Sequence, residues 1–144
     1  MSSVVDYMVG MAEYLDANST MVWDPDSLGP DFTYPSTAIG IHLKDVRIHP
    51  DRLVVIYPYM DMNSVVLPMR DIEFQIRTRG GSIPTDCDEI ADMAFKLLHR
   101  QHHLVWNGLE ISRIRHTSFL PLGPDDQGRW ERTDNYELIT QRRV

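Results

Sequence analysis

The chain has 144 residues, 42% of them hydrophobic and 24% charged, and its formal net charge is −7. These values predict one globular domain with its own core, and they argue against a disordered chain or nonspecific binding of nucleic acid. No apolar run is long enough to span a bilayer, and the first ten residues lack the pattern of a signal peptide. The one cysteine, Cys87, excludes an intramolecular disulfide framework and points to a reducing compartment.

The N-terminal segment is predicted to form an amphipathic helix over about residues 3–17. Its apolar residues follow helical spacing, with Met8 and Met11 as adaptable core residues. Ser3 and Asp6 have the spacing of a capping box at the start of this helix. A helix with one apolar face is expected to cover a sheet.

Residues 24–36 are rich in Pro, Gly and Asp, which predicts a long loop that is either functional or mobile. The loop begins like a calcium site, with Asp24, Asp26 and a glycine in the sixth position. The fifth and twelfth positions are Leu28 and Pro35, however, so oxygen ligands that calcium needs are missing. Calcium binding is therefore not expected.

Three strands are predicted next, over about residues 37–43, 52–57 and 71–79. In the third, which begins the stretch "DIEFQIRTRGG", apolar and polar residues alternate. One face of that strand therefore suits a core, and the opposite face ends in Arg77 and Arg79. Between the second and third strands, Pro58 and Pro68 predict an excursion at the sheet edge.

A second helix is predicted from Thr85 to about residue 99 or 100, because its apolar residues form one stripe and Asp88 follows Thr85 as in a capping box. Asn107-Gly108 then predicts a β-hairpin turn. A segment dense in Pro, Gly and Asp should form a loop before a last strand near residues 134–142. The order of elements predicts an α+β fold: a single domain over residues 1–144, with a mixed or antiparallel sheet packed with two main helices.

The sequence contains no convincing set of catalytic residues. The histidines of "HRQHH", residues 99–103, lack the spacing of a zinc motif, and the first of them suits the C-terminal end of the second helix. Cys87 stands between two acids that raise a thiol pKa, Gly80-Gly81 is no phosphate-binding loop, and Asp125-Asp126 suits a turn. An enzyme is therefore not expected.

Arginines on or beside the predicted strands are the remaining signal: Arg77, Arg79, Arg113, Arg115, Arg129 and Arg132, with Trp130 between the last two. Two interpretations stay open. The arginines can belong to a solvated face with cross-strand charge pairs. Alternatively, they can anchor a protein–protein interface, where Arg and Trp are favoured.

Several stretches together resemble a known family. They are the strand "DIEFQIRTRGG", the helix "TDCDEIADMAFKLLH", the Asn-Gly hairpin and above all "LPLGPDDQGRWERTDNYELITQR". They are similar to the tail terminator proteins of long-tailed bacteriophages, which are also called tail-completion or minor capsid proteins. The resemblance covers about residues 3–142 in the order of elements, and its specific part is confined to about 70–82 and 118–142.

The resemblance implies a structural virion protein without a cofactor or catalytic residue. Such proteins form a ring, a homo-oligomer of six subunits, on the head-proximal end of the tail tube, where they stop tube polymerisation and receive the head connector. The expected partners are thus other copies of the chain, the tail tube protein and the head connector or stopper protein, with phage DNA passing through and no membrane. The expected location is the head–tail junction of the virion, and the host cytoplasm during assembly.

The same resemblance suggests where contacts lie. The expected interface residues, toward a neighbouring subunit or the tube, are Arg77, Arg79, Arg129, Arg132 and Trp130. The acidic surplus would suit a channel for DNA, with loops 24–36 and 123–128 as candidates for its wall. The alternatives are another connector ring, such as an adaptor or stopper, a small metal-dependent hydrolase using the histidines at 99–103, and an unrelated binding module.

Overall fold

The computed structural model describes residues 3–63 and 69–141. These residues form two α-helices, a short 3₁₀ helix and one seven-stranded mixed sheet, which confirms the predicted α+β fold. The elements in chain order are α1 (Val4–Asn18), β1 (Met21–Val22), the 3₁₀ helix (Pro25–Leu28), β2 (Ile39–Leu43), β3 (Leu53–Asn63), β4 (Met69–Arg79), α2 (Asp86–Leu98), β5 (Gln101–Trp106), β6 (Leu109–Pro124) and β7 (Trp130–Gln141).

The strands lie in the order β1-β2-β3-β4-β7-β6-β5. The first three are parallel to one another, and every other neighbouring pair is antiparallel. One row of paired residues crosses five strands: Gly40, Leu53, Arg79, Glu131 and Gly123. This row lies near the turn between β6 and β7, which we call the turn end of the sheet. The opposite end, where β3 stops and β4 begins, is the arm end.

The core lies between the helices and one face of the sheet. Met11 and Leu15 of α1 and Ile90 of α2 are buried in one cluster with Phe74 and Ile76 of β4. The alternation predicted for residues 71–79 is therefore confirmed, since its apolar residues face this core. The capping box predicted at Ser3 and the hairpin turn predicted at Asn107-Gly108 are also present.

The start of α2 differs from the prediction. Thr85 makes no side-chain cap hydrogen bond, so the proposed variant of the capping box is wrong. The carboxylate of Asp86 instead accepts a hydrogen bond of 2.8 Å from the Gly81 backbone N–H and another from Arg52. The acidic group at the helix start is thus used to hold the preceding loop.

Two antiparallel pairs of the sheet, β6–β7 and β3–β4, are longer than predicted. Strand β6 continues to Pro124 and β7 begins at Trp130, so only 125–129 of the expected Pro- and Gly-rich loop is a turn. Strands β3 and β4 also stay paired beyond Pro58, as far as Asn63 and Arg70, with a register shift after Pro58. Within 58–63 this pairing replaces the predicted excursion, and residues 64–68, with Pro68, lie outside the described residues.

The segment 24–36 is held by Tyr34. The Tyr34 hydroxyl donates to the Ile41 carbonyl at 2.8 Å and accepts from the Asp24 N–H at 3.0 Å. A Cβ on Gly40 would lie 2.5 Å from the Tyr34 ring, so glycine is needed for this close packing. The long loop is therefore fixed to β2 by one aromatic side chain.

His42 is buried beside the Tyr34 ring, and the centres of the two rings are 5.1 Å apart. Burial lowers the pKa of His42 from 6.5 to about 4. The folded state therefore favours neutral His42, and its contribution to stability is full above about pH 6.5 and is lost as the pH falls toward 4. We expect the free energy of unfolding to fall by about 2 kcal/mol from this group between pH 7 and pH 5.

Urea unfolding at the two pH values tests this expectation, with His42→Leu as the comparison because leucine cannot titrate. The variant should lose less stability than the wild type over the same pH interval. An equal loss in both proteins would contradict a role for His42.

Gly80 lies where β4 meets the start of α2, and a Cβ there would be 2.4 Å from the Cys87 backbone nitrogen. Gly80→Ala should therefore cost about 2 kcal/mol, because the helix must shift to make room. Gly81→Ala is the matched control, since its Cβ would meet nothing closer than 3.7 Å. Equal stability of the two variants in urea unfolding would contradict this account of Gly80.

Candidate interaction surface

Arg79 ends β4 and is only 3% exposed. Its Nε donates to the Asp51 carbonyl at 2.9 Å, and its Nη2 lies 2.7–3.2 Å from the carbonyls of Arg47, Ile48 and Pro50. Burial, together with the nearby charge of Arg129, lowers the pKa of this guanidinium. Arg79 therefore fixes the segment between β2 and β3 to the turn end of the sheet.

Arg129 holds the same segment from the β6–β7 turn and is 7% exposed. Its guanidinium donates to the Ile48 carbonyl, the Asp51 carboxylate and the Asp125 carboxylate. Asp125 also accepts from the N–H groups of Gln127 and Arg129, as its predicted place in a turn requires. Arg129 thus ties loops 44–52 and 125–129 together, and Arg79 fixes the first of these loops to β4.

Loop 80–85 joins this assembly through Asp86, which Arg52 and the Gly81 N–H hold at 2.8–3.1 Å. The Gly80 N–H also donates to the Trp130 carbonyl at 2.9 Å. We call loops 44–52, 80–85 and 125–129 together the braced end. Its backbone is fixed by charged and backbone hydrogen bonds before any partner binds.

The other expected interface residues lie nearby but are used differently. Arg77 donates to both oxygens of Glu131 at 2.8 and 3.3 Å and keeps a partly exposed side chain. Arg132 donates to Asp88 of α2 and to Asp134, and its guanidinium lies 4.3 Å from the centre of the Phe119 ring. Trp130 is half-buried at the start of β7.

The structure therefore brings these five residues to one end of the sheet. Arg79 and Arg129 are engaged by the chain's own loops, so any effect they have on a partner acts through the shape of the braced end. Arg77, Arg132 and Trp130 keep some exposed surface. Contact of any of the five with another subunit or the tube stays a prediction.

Exposed apolar side chains mark both ends of the sheet, a feature that the residue pattern alone does not predict. At the turn end, Ile48 and Ile83 of the braced loops are 63% and 66% exposed. Strand β6 adds three more exposed residues nearby: Phe119, Leu120 and Leu122. The arm end has a different set: Tyr59, Met60, Met62 and Met69. Apolar side chains concentrated in this way mark interaction sites.

The histidines at 99–103 do not form a metal site in the described part of the chain. His99 follows α2 and its Nδ1 accepts from the His116 N–H at 3.0 Å, while His102 and His103 are exposed on β5. No group of three His, Cys, Asp or Glu residues there is placed to hold a metal ion.

Cys87 is buried, and burial raises the pKa of its thiol. A buried protonated thiol is a poor nucleophile. Within residues 3–63 and 69–141, no helix is long and apolar enough to cross a membrane.

The bracing role of Arg79 leads to a stability prediction. Arg79→Lys should lower the free energy of unfolding by about 2 kcal/mol or more, because one ammonium group cannot satisfy the same carbonyls in a buried site. Arg77→Lys is the control and should cost less than about 1 kcal/mol, since its ion pair is partly exposed. Urea unfolding compares the two variants, and similar losses would contradict the special role of Arg79.

Comparisons with known proteins identify the family. A family model described as bacteriophage tail terminator protein matches residues 14–142. Among solved structures, 21 chains match, and one of 10% sequence identity aligns over 97% of this chain and 94% of its own length with a TM-score of 0.59. That likeness shows a shared fold. No curated protein matches the chain. Because the family model covers most of its length, the chain belongs to the bacteriophage tail terminator protein family.

Proposed function

We propose that this phage tail protein forms a ring on the head-proximal end of the tail tube, stops tube polymerisation there and presents the surface that receives the head connector. Membership of the tail terminator family supports a structural role in the tail. The specific acts of ring formation, tube capping and head joining are our proposal. The ring, with six copies expected, has the tail tube protein and the connector protein as its axial partners.

The observation that carries this proposal is that the two ends of one sheet present unlike apolar surfaces. The braced end offers Ile48 on a loop fixed by buried arginines and Ile83 on the loop held through Asp86. The arm end offers Met60 and Met62, whose side chains are flexible and adapt to a partner. A subunit that caps a polymer needs two different ends. If both ends matched the tube, one would bind the tube and the other would let a further subunit add, so polymerisation would continue.

We assign the braced end to the tail tube and the arm end to the connector. The end face of a tube is a fixed, repeating surface, and a preformed surface binds it with the smallest ordering cost. The five predicted interface residues, Arg77, Arg79, Arg129, Arg132 and Trp130, lie at this end and are proposed to shape or make the contact. The net charge of −7 would limit pairing with phosphates as DNA passes through the ring.

Two substitutions test the assignment in the presence of polymerising tail tube protein. Ile83→Asp should raise the protein concentration that halves mean tube length by about tenfold, because a charge replaces a central apolar contact. Met62→Asp should leave capping unchanged and reduce head joining. Tube length is measured by electron microscopy, and joining is measured by counting heads on capped tails.

Wild-type protein that leaves tube length unchanged would contradict the terminator function. If Met62→Asp abolished capping while Ile83→Asp capped normally, the assignment of the two ends would be reversed. If neither variant changed either activity, the apolar ends would not be the axial surfaces.

A further inference from the structure

The outer edge of β6 is open at the turn end of the sheet. Strand β5 pairs with β6 only as far as Ile114, so among the described residues no strand lies beside residues 117–124. Phe119, Leu120 and Leu122 on this stretch are 56%, 60% and 42% exposed. A long strand edge with exposed apolar side chains is normally covered by another surface.

The opposite edge of the sheet presents apolar residues at the same end. Val22 of β1 and Leu28 of the 3₁₀ helix are both exposed. Gly40 of β2 and Gly123 of β6 belong to the same row of paired residues across the sheet. Met21 of β1 pairs with Ile39, one residue before Gly40, so β1 lies at the same end of the sheet as Gly123. Copies placed side by side in one orientation would therefore bring residues 22–31 of one copy to the open edge of β6 in the next.

The chain segments on the two sides of the sheet differ in net charge. Residues 1–43 contain six Asp or Glu and no Lys or Arg, and in the described residues none of these acids forms an ion pair. Asp26 and Asp31 are exposed near the 3₁₀ helix. On the β5–β6 side, residues 99–124 contain three arginines and one glutamate. Arg113 and Arg115 are exposed and share Glu137 as their acidic partner. Opposite charges on two edges steer them together and fix their orientation.

We propose that the occupant of the open β6 edge is a second copy of this chain, through its residues 22–31. This inference rests on the proposed ring and names its lateral surfaces. Because two different edges meet, each subunit keeps one edge free for the next, and such contacts close into a ring. Pro121 and Pro124 offer no N–H groups on β6, so the contact is made chiefly by side chains. Residues 24–31 thus lie between subunits instead of lining the channel.

A paired set of charge variants tests this contact. Leu120→Asp places a carboxylate opposite the acidic segment, and Asp26→Lys with Asp31→Lys places ammonium groups opposite the apolar edge, on the strand that also carries Arg113 and Arg115. Each variant alone should raise the concentration at which half the protein is assembled by about tenfold or more. An equal mixture of the two variants should recover assembly. When the variants alternate, the new carboxylate of one meets the new lysines of the other, and every second contact joins two native edges.

Sedimentation velocity over a range of concentrations, with and without tail tubes, gives the assembled fraction, and thermal unfolding confirms that each variant is folded. Val5→Asp is the matched control, since it replaces an exposed apolar residue of α1, outside the proposed contact and outside both axial surfaces. It should assemble like the wild type.

The outcomes separate the contact from the proposed function. If the wild type assembles and the charge variants assemble equally well, the proposed contact is overturned and the ring is not. The same holds if the mixture of the two variants stays disassembled. Loss of assembly in Val5→Asp equal to that in Leu120→Asp would also overturn the contact. A wild type that remains monomeric even with tail tubes would contradict the ring itself.

Discussion

The buried guanidinium of Arg79 is the interaction on which the turn end of this protein depends. It meets four backbone carbonyls of the segment that crosses from β2 to β3. A parallel pair of strands requires such a crossover, and here the crossover is an irregular segment instead of a helix. An irregular segment has no regular hydrogen bonds of its own to satisfy its backbone carbonyls. The Arg79 guanidinium, which has several N–H groups, donates to these carbonyls instead.

Arg129 and Arg52 extend this arrangement to the other two loops. Their partners come from distant parts of the chain, since Arg129 reaches Asp51 and Arg52 reaches Asp86. Three loops that would otherwise move independently therefore share one fixed geometry. The proposed contact with the tail tube would gain from this, because little conformational entropy remains to be lost on binding.

Most of the fold could be predicted because its signals are local. The capping box of α1, the apolar stripe of α2 and the Asn-Gly hairpin depend on residues a few positions apart. The extension of β6 and β7 could not be predicted in this way, because Pro121 and Gly123 favour a loop locally. The strand forms because β7 pairs with eleven residues of β4 and β6 in turn pairs with β7. The role of Arg79 was missed for the same reason, since its acceptors lie 28–32 residues earlier in the chain. Alternation placed it on the polar face, and only the packing of the crossover segment buries it there.

The irregularity of β6 has a consequence for the life of the free subunit. Its pairing with β7 shifts register three times, and two prolines stand near its end. Bulges increase local twist and prolines remove donors, so this edge makes a poor template for an extended foreign strand. In the ring proposed above, each subunit exists free before it meets its neighbour. A strand edge that is apolar in its side chains but irregular in its backbone suits such a free subunit, because it favours one shaped partner over open-ended fibre growth.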